Sequence, residues 1–559
     1  MSYSIWRKDR KIAYFSMEIG VHNRIPNYAG GLGILAGDTL KSCADLHIPT
    51  IAVTLLFEDG FFRQELDENG NQTEHPEVWN KEALLEPLPE KVVVSISGRD
   101  VIVQGWVYRL VGRTGFEIPV IYLDTDVPGN SDYDRTITRA LYGGDHNHRM
   151  AQELILGVGG FEMLQVLGYT GIEKYHLNEG HGSFLILEML SDTKRHSSEP
   201  RPIEERYDFQ SVHSKIVFTT HTPVEAGHDR FDPWLAKDMS SHAVENELID
   251  HMLHDGQLNM TYVALGNSGY VNGVAKKHAE VSQKMFPKYA ISSITNGVHS
   301  RTWTAPHMAR IFDQHISDWV KDPSSLRFAE VIPDNELWDA HMDAKRELID
   351  FTNRTCSMDL SPDVFTLGFA RRAAPYKRLT MMFSNLDWLR AIHQRVGKIQ
   401  FIIAGKAHPQ DQPGKDLIRQ LFNIKKQLAG TVNIAYIPNY NIDVAKKMVS
   451  GVDLWINTPQ PPMEASGTSG MKAAHNGVPQ FSTLDGWWIE GCIDDMTGWS
   501  IQGDEARDFH EKLEKVIVPK FYSDRPGWIK MMKNTIAFNA SQFNTERMVK
   551  DYVTHAYFV

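Results

Sequence analysis

Between residues 364 and 484 the chain repeats one pattern five times. Short apolar runs at 364–369, 399–404, 433–438, 452–457 and 479–484 alternate with amphipathic stretches of helical period. Runs of that length separated by helical patterns predict parallel strands joined by crossover helices. Open sheets of this kind bind ligands beyond the carboxyl ends of their strands, so function is expected in the loops that follow these runs.

Two of those loops carry chemistry. The stretch 451–476, GVDLWINTPQPPMEASGTSGMKAAHN, reads as a strand, a glycine-rich turn and a helix start. Ser466, Gly467, Thr468, Ser469 and Gly470 offer backbone N–H groups at that helix start, where an anion is favoured. Lys472 would ordinarily be a solvated residue. With Glu464 and the turn beside it at a strand end, it is instead a phosphate clamp or a Schiff-base former. The second loop, FARRAAPYKR at 369–378, sets Arg371, Arg372, Lys377 and Arg378 close together in a chain of formal net charge −12. Its plain alternative is a solvated basic loop. Charge-assisted hydrogen bonds to one phosphate contribute roughly 1.5–3 kcal/mol each, against about 0–1 for a surface ion pair, and favour an anion site.

The first half reads differently. A buried strand at 12–17 leads into the glycine loop NYAGGLGILAGD at 27–38, with a helix expected over 39–46. Alternating residues over 92–123 predict antiparallel strands inserted into this half. A helix is expected over 149–167, with Gly168 as its stop. His146 and His148 have no third ligand at zinc spacing, so no metal is expected there. The turns 176–181 and 220–228 hold four histidines with Glu179 and Glu225, a zinc alternative that lacks the i, i+4 pair of a helix-borne site. Asn296-Gly297 reads as a tight turn and Trp303 as a core aromatic. The segment 323–333 has the composition of a linker, and 334–353 that of a charged amphipathic helix.

A chain of 559 residues exceeds one core. The expected division is 1–325, 326–525, and a C-terminal piece, 526–559, folding back on the first domain. The acidic balance excludes a nucleic-acid partner. Cys43, Cys356 and Cys492 are far apart and odd in number, as expected in a reducing compartment. No apolar run approaches the roughly 20 residues of a membrane span, and no apolar h-region follows MSYSIWRKDRK, so a cytoplasmic protein without membrane contact is expected.

EASGTSGMK around Lys472 resembles the α-glucan phosphorylase family, in its short bacterial and archaeal form. GGLGILAGD, the Asn-Glu-Gly-His and Thr-His-Thr turns, TNGVHSRTW at 295–303, RRAAPYKR, GKA at 405–407 and LDGWW at 484–488 are similar to further motifs of that family. His475 departs from it, standing where an apolar residue is usual. The resemblance implies an α/β protein of the GT-B type, two Rossmann-like domains facing across a cleft. It implies pyridoxal phosphate held by Lys472 as a Schiff base, with Arg371, Trp303, Gly467 and Thr468 around the cofactor. Arg372 and Lys377 would hold the substrate phosphate. Gly31, Leu32, Asn296, Tyr376, Glu464, Ser466 and Gly467 would meet the sugar, and the carbonyl of His221 would face the reacting carbon. The implied reaction is reversible, retaining phosphorolysis of α-glucan or maltodextrin by inorganic phosphate, in a homo-oligomer. Glucan synthases share a similar GGLG, so a nucleotide-sugar glucosyltransferase is the alternative. On this reading the Glu464 carboxylate serves the sugar and the cations serve phosphate.

Overall fold

The computed structural model describes residues 9–195, 201–224, 227–240 and 243–558. Glu225 of the second histidine turn lies outside them. Two sheets organise these residues. In the first, nine strands run in the order Ser292–Ser293, Tyr270–Gly273, Ile216–Thr219, Lys174–Asn178, Ile12–Ser16, Thr50–Leu55, Glu117–Asp124, Arg99–Val111 and Glu86–Ile96. Neighbours pair in parallel up to Glu117–Asp124, and the last two strands add on antiparallel. The strands expected as an insertion therefore extend the main sheet. The second sheet is wholly parallel, in the order Asn433–Ile437, Ile399–Ala404, Phe365–Ala370, Leu454–Asn457, Gln480–Thr483 and Gly498–Ile501. Its five anticipated strands fall within two residues of their expected bounds, and Gly498–Ile501 is additional. The architecture is that of a GT-B glycosyltransferase.

The helix after the glycine loop starts inside it, at Gly31, and runs to Asp45. It lies so close to the preceding loop that a Cβ on Gly37 would come 2.1 Å from the Gly20 carbonyl oxygen. Residues 146–166 are helical throughout, with a wider π segment at Ile155–Gly159. The presumed linker is a 3-10 segment, Pro323–Val331, whose Leu326 and Ala329 are buried in the core of the second sheet. Met308, Ile311 and Phe312 join the same core, as do Trp528, Ile529 and Met532 of the helix Arg525–Asn534. Thr545–Tyr552 and the turn that follows, Val553–Tyr557, reach back, packing Met548, Tyr552 and Tyr557 against Ile12, Leu35 and Val217. No helix among the described residues is long and apolar enough to cross a membrane.

Asp453 anchors the second sheet. It is fully buried at the head of Leu454–Asn457 and accepts from Lys345 Nζ at 2.6 Å, Thr366 N at 2.7 Å and His341 Nε2 at 2.9 Å. Burial opposes its ionisation, yet Lys345 and His341 outweigh burial and hold the carboxyl below its ordinary value. Asp453→Asn strands the Lys345 ammonium, which is 0% exposed, and should cost about 3–5 kcal/mol. Because the folded carboxyl titrates below the unfolded one, this contribution is present at neutral pH. It fades as pH falls below about 4. Thermal melts of wild type and variant should therefore differ at pH 7 and converge in acid.

Candidate active site

The carboxyl ends of the two sheets approach each other. Gln64 Nε2 donates to the Gly405 carbonyl at 3.0 Å, Lys406 Nζ to Phe62 O at 2.6 Å, and the Ile442 N–H to Tyr28 Oη at 3.2 Å. Within the second sheet, Gly405 lets two neighbouring strand-end loops meet, since a Cβ there would sit 2.0 Å from the Arg371 carbonyl oxygen.

From the second sheet, the basic loop leaves Phe365–Ala370 and passes through a 3-10 turn at Pro375–Lys377. Arg378 donates to the carbonyls of Thr458 and Pro459, both at 2.8 Å, which ties this loop to the one carrying Glu464. Two cations then converge on one carboxylate oxygen. Arg371 Nη2 lies 2.7 Å and Lys377 Nζ 2.5 Å from Glu464 Oε2. Burial disfavours the charge on Glu464, but Arg371 and Lys377 overcome it and hold the carboxyl at about 2. This differs from the expected division of labour: the carboxylate assigned to the sugar is paired with cations assigned to phosphate. Arg372 stands apart, 3.4 Å from Tyr376 Oη, and Lys377 Nζ lies 4.4 Å from the centre of the Tyr376 ring. The Glu464 N–H donates to Asp485 Oδ2 at 2.8 Å, and burial raises the Asp485 carboxyl to about 6.

Lys472 lies on the short helix Ser469–Ala474, its Nζ 4.0 Å over the Trp303 ring. Burial lowers its amine to about 8, with Asp38 opposing and Lys41 adding to the shift. Asp38 also fixes the indole, accepting Trp303 Nε1 at 2.6 Å and the His299 N–H at 3.2 Å. Asn476 bonds the carbonyls of Trp303 and Lys472 and the N–H of Ala305. His475, the departure from the family pattern, is buried and bridges Met471 O and Ser300 Oγ, a tie between the halves.

On the first sheet, His221 Nε2 meets Asn178 Oδ1 at 2.6 Å, and its N–H donates to Glu179 Oε2 at 2.8 Å. Burial lowers His221 to about 3, so the ring is neutral. Glu179 has a left-handed φ of 74° and also accepts from Thr222 Oγ1. Asn296 Oδ1 is buried without a partner, as are Arg371 Nη1 and Ser466 Oγ. A Cβ on Gly30 or Gly31 would meet open space. Glu18 was not singled out in the sequence, although it ends a buried strand. Its Oε2 accepts the N–H of Ala29 at 2.5 Å and of Gly30 at 3.3 Å, and its Oε1 accepts from Tyr142 at 2.9 Å. It thereby shapes the glycine loop that precedes Leu32.

This geometry and the sequence agree on class. The family model described as Carbohydrate phosphorylase matches residues 27–140 and 219–499, and the chain belongs to that family. It is 36% identical to a maltodextrin phosphorylase of Thermococcus litoralis, across 100% of this chain and 71% of that protein. Glycogen phosphorylases of Mycobacterium tuberculosis and Aquifex aeolicus are each 34% identical across 98% of this chain, covering 70% and 86% of their own lengths.

The Glu464 clamp has a measurable consequence. A phosphate entering beside Lys377 competes with the carboxylate already there. Glu464→Gln keeps the shape and removes the charge, so inorganic phosphate should bind about tenfold more tightly by calorimetry, the equivalent of one lost charge-assisted contact. Unchanged or weaker binding would mean that phosphate does not use these cations.

Proposed function

We propose that this protein cleaves the terminal α-1,4-linked glucosyl unit of an α-glucan with inorganic phosphate, releasing α-glucose 1-phosphate with retention, and that Lys472 carries pyridoxal phosphate. The observation that carries the reading is a buried amine on an aromatic face beside buried donors that lack acceptors. Lys472 makes no hydrogen bond through Nζ among the described residues, and its lowered value leaves half the amine uncharged near pH 8. That state suits attachment of an aldehyde. Arg371 Nη1 and Ser466 Oγ are donors that a phosphate group would satisfy. Arg371, Trp303, Gly467 and Thr468 would hold the cofactor with Lys472. When bound, pyridoxal phosphate would supply a phosphate group able to share a proton with the inorganic phosphate, whose own proton would go to the leaving glycosidic oxygen.

The remaining work falls to the chain. Arg372 and Lys377 would bind the inorganic phosphate dianion, with Tyr376 beside them. As phosphate takes up Lys377, Glu464 would exchange part of its ion pair for a sugar hydroxyl. Ser466 and Gly467 would line the same sugar. Asn296 would offer its unpaired carbonyl oxygen to another hydroxyl. Neutral His221, pinned through Asn178 and Glu179, would aim its backbone carbonyl at the reacting carbon without adding charge there. The N–H groups at Gly31 and Leu32 would neutralise charge on the phosphate as the glucosyl bond breaks. Closed loops from both sheets would keep water from the oxocarbenium-like sugar.

Four outcomes are expected. Borohydride reduction followed by mass spectrometry should find pyridoxyl phosphate on the Lys472 peptide, and Lys472→Ala should purify without bound cofactor. Glucose 1-phosphate should leave maltodextrin only when inorganic phosphate is present. Arg372→Ala should raise the phosphate KM and lower kcat/KM by on the order of 30- to 1000-fold, the equivalent of about 2–4 kcal/mol. Glucosyl transfer from UDP- or ADP-glucose at a comparable rate would favour the synthase alternative.

A further inference from the structure

Three ionisable side chains from distant parts of the chain meet in the interior. Asp45 ends the helix Gly31–Asp45, His299 precedes the helical turn Ser300–Trp303, and Glu546 lies in the first turn of Thr545–Tyr552. Their ligand atoms all lie within 4.8 Å of one another. His299 Nε2 is 3.1 Å from Asp45 Oδ2 and 3.8 Å from Glu546 Oε1. We propose that Asp45, His299 and Glu546 bind one divalent cation of the zinc type, fastening the last helix to the first sheet's helix layer.

The spacing suits a metal. Tetrahedral zinc with ligands at about 2.0–2.2 Å sets those ligands roughly 3.3–3.6 Å apart, between the two distances observed here. Each ligand also has its other polar atom spoken for or left over in a telling way. His299 Nδ1 is engaged by Thr302 Oγ1 at 2.7 Å, which orients the ring and points Nε2 at both carboxylates, as outer partners of metal-bound histidines do. Asp45 Oδ1 accepts the Arg113 N–H at 2.6 Å, leaving Oδ2 for the site.

Glu546 supplies the second observation. It is 3% exposed, and its Oε2 is buried with no hydrogen-bond partner. Burial disfavours its charge most; His299 and the Glu546 backbone N–H favour it, and Asp45 and Asp38 oppose it. A buried carboxylate among like charges is costly unless a cation or a proton compensates it. A helix N-terminus favours an acid in its first turn but leaves this oxygen unsatisfied. Magnesium and calcium demand six or more oxygen ligands, which an imidazole and two carboxylates in a closed site do not provide. Borderline zinc accepts this donor set, with a water able to complete it.

The test uses the full-length, cofactor-loaded protein, stripped with a chelator and titrated with zinc against a chromogenic competitor. One equivalent should bind with an affinity that rises with pH, because the metal displaces protons. Magnesium should not compete. Glu546→Gln, nearly isosteric, should weaken that equivalent at least 100-fold and remove the rise in melting temperature that zinc gives the wild type. Asp45→Asn should do the same. If Asp45→Asn does not fold, the Glu546→Gln comparison decides alone. Equal zinc binding by wild type and Glu546→Gln would overturn the proposal. So would a Glu546→Gln protein that is more stable than wild type in metal-free buffer while zinc leaves both unchanged, since a proton would then hold this cluster together.

Discussion

Glu464 is buried, and a buried carboxylate is tolerated only when cations and donors replace the water it has lost. Arg371 and Lys377 do this from one loop while the Glu464 backbone is tied to Asp485 from another. That cluster fixes the separation between the ends of Phe365–Ala370, Leu454–Asn457 and Gln480–Thr483, and with it the place where the helix bearing Lys472 begins. The Glu464 charge is thus compensated without any ligand, while Arg371 Nη1 beside it keeps no acceptor.

The two halves share a buried apolar cluster, in which Ile34, Val298 and Trp303 of the first lie with Val444, Met471 and Trp487 of the second, and polar contacts add directional ties. Asp38 of the first half holds Trp303 beneath Lys472 of the second, Asn476 grips the backbone on both sides of the crossing, and His475 reaches Ser300. Each is directional and buried, so a small rotation between the sheets would leave groups unsatisfied. The last helix adds a further strap by returning to the first sheet after Arg525–Asn534 has packed into the second.

Much of this was legible from residue patterns, and the misses have physical causes. The parallel strands of the second sheet are apolar on both faces and short, so their runs stand out; Gly498–Ile501, GWSI, has too little apolar length to be noticed. The segment 323–333 looked like a linker because its prolines and charges are what composition records, whereas burial of Leu326 and Ala329 depends on a partner helix 200 residues away. The loop motifs around Lys472 and Arg371 marked the site through resemblance. Periodicity could not reveal Glu18 or Asp453, because each acts through groups that tertiary packing brings near: Ala29 and Gly30 for the one, Lys345, His341 and Thr366 for the other. The joint use of Arg371 and Lys377 by Glu464 was hidden for the same reason: sequence separates the residues by 93 and 87 positions, and only the sheet order brings the loops together.

A chain of net charge −12 that is to bind a phosphate dianion faces a repulsive far field. The structure answers locally. Arg371 and Lys377 are nearly buried while Arg372 stays exposed, and at contact range in buried surroundings one cation outweighs many distant carboxylates that water and salt screen within about a Debye length. Burial has a second effect on the amines. It lowers Lys472 and Lys406 to about 8 each, whereas the Arg372 guanidinium is raised above its ordinary value, desolvation being outweighed by Tyr376. Desolvation therefore acts unequally on the two cation types around the proposed site: it weakens the hold of Lys472 on its proton, while the Arg372 guanidinium keeps its own.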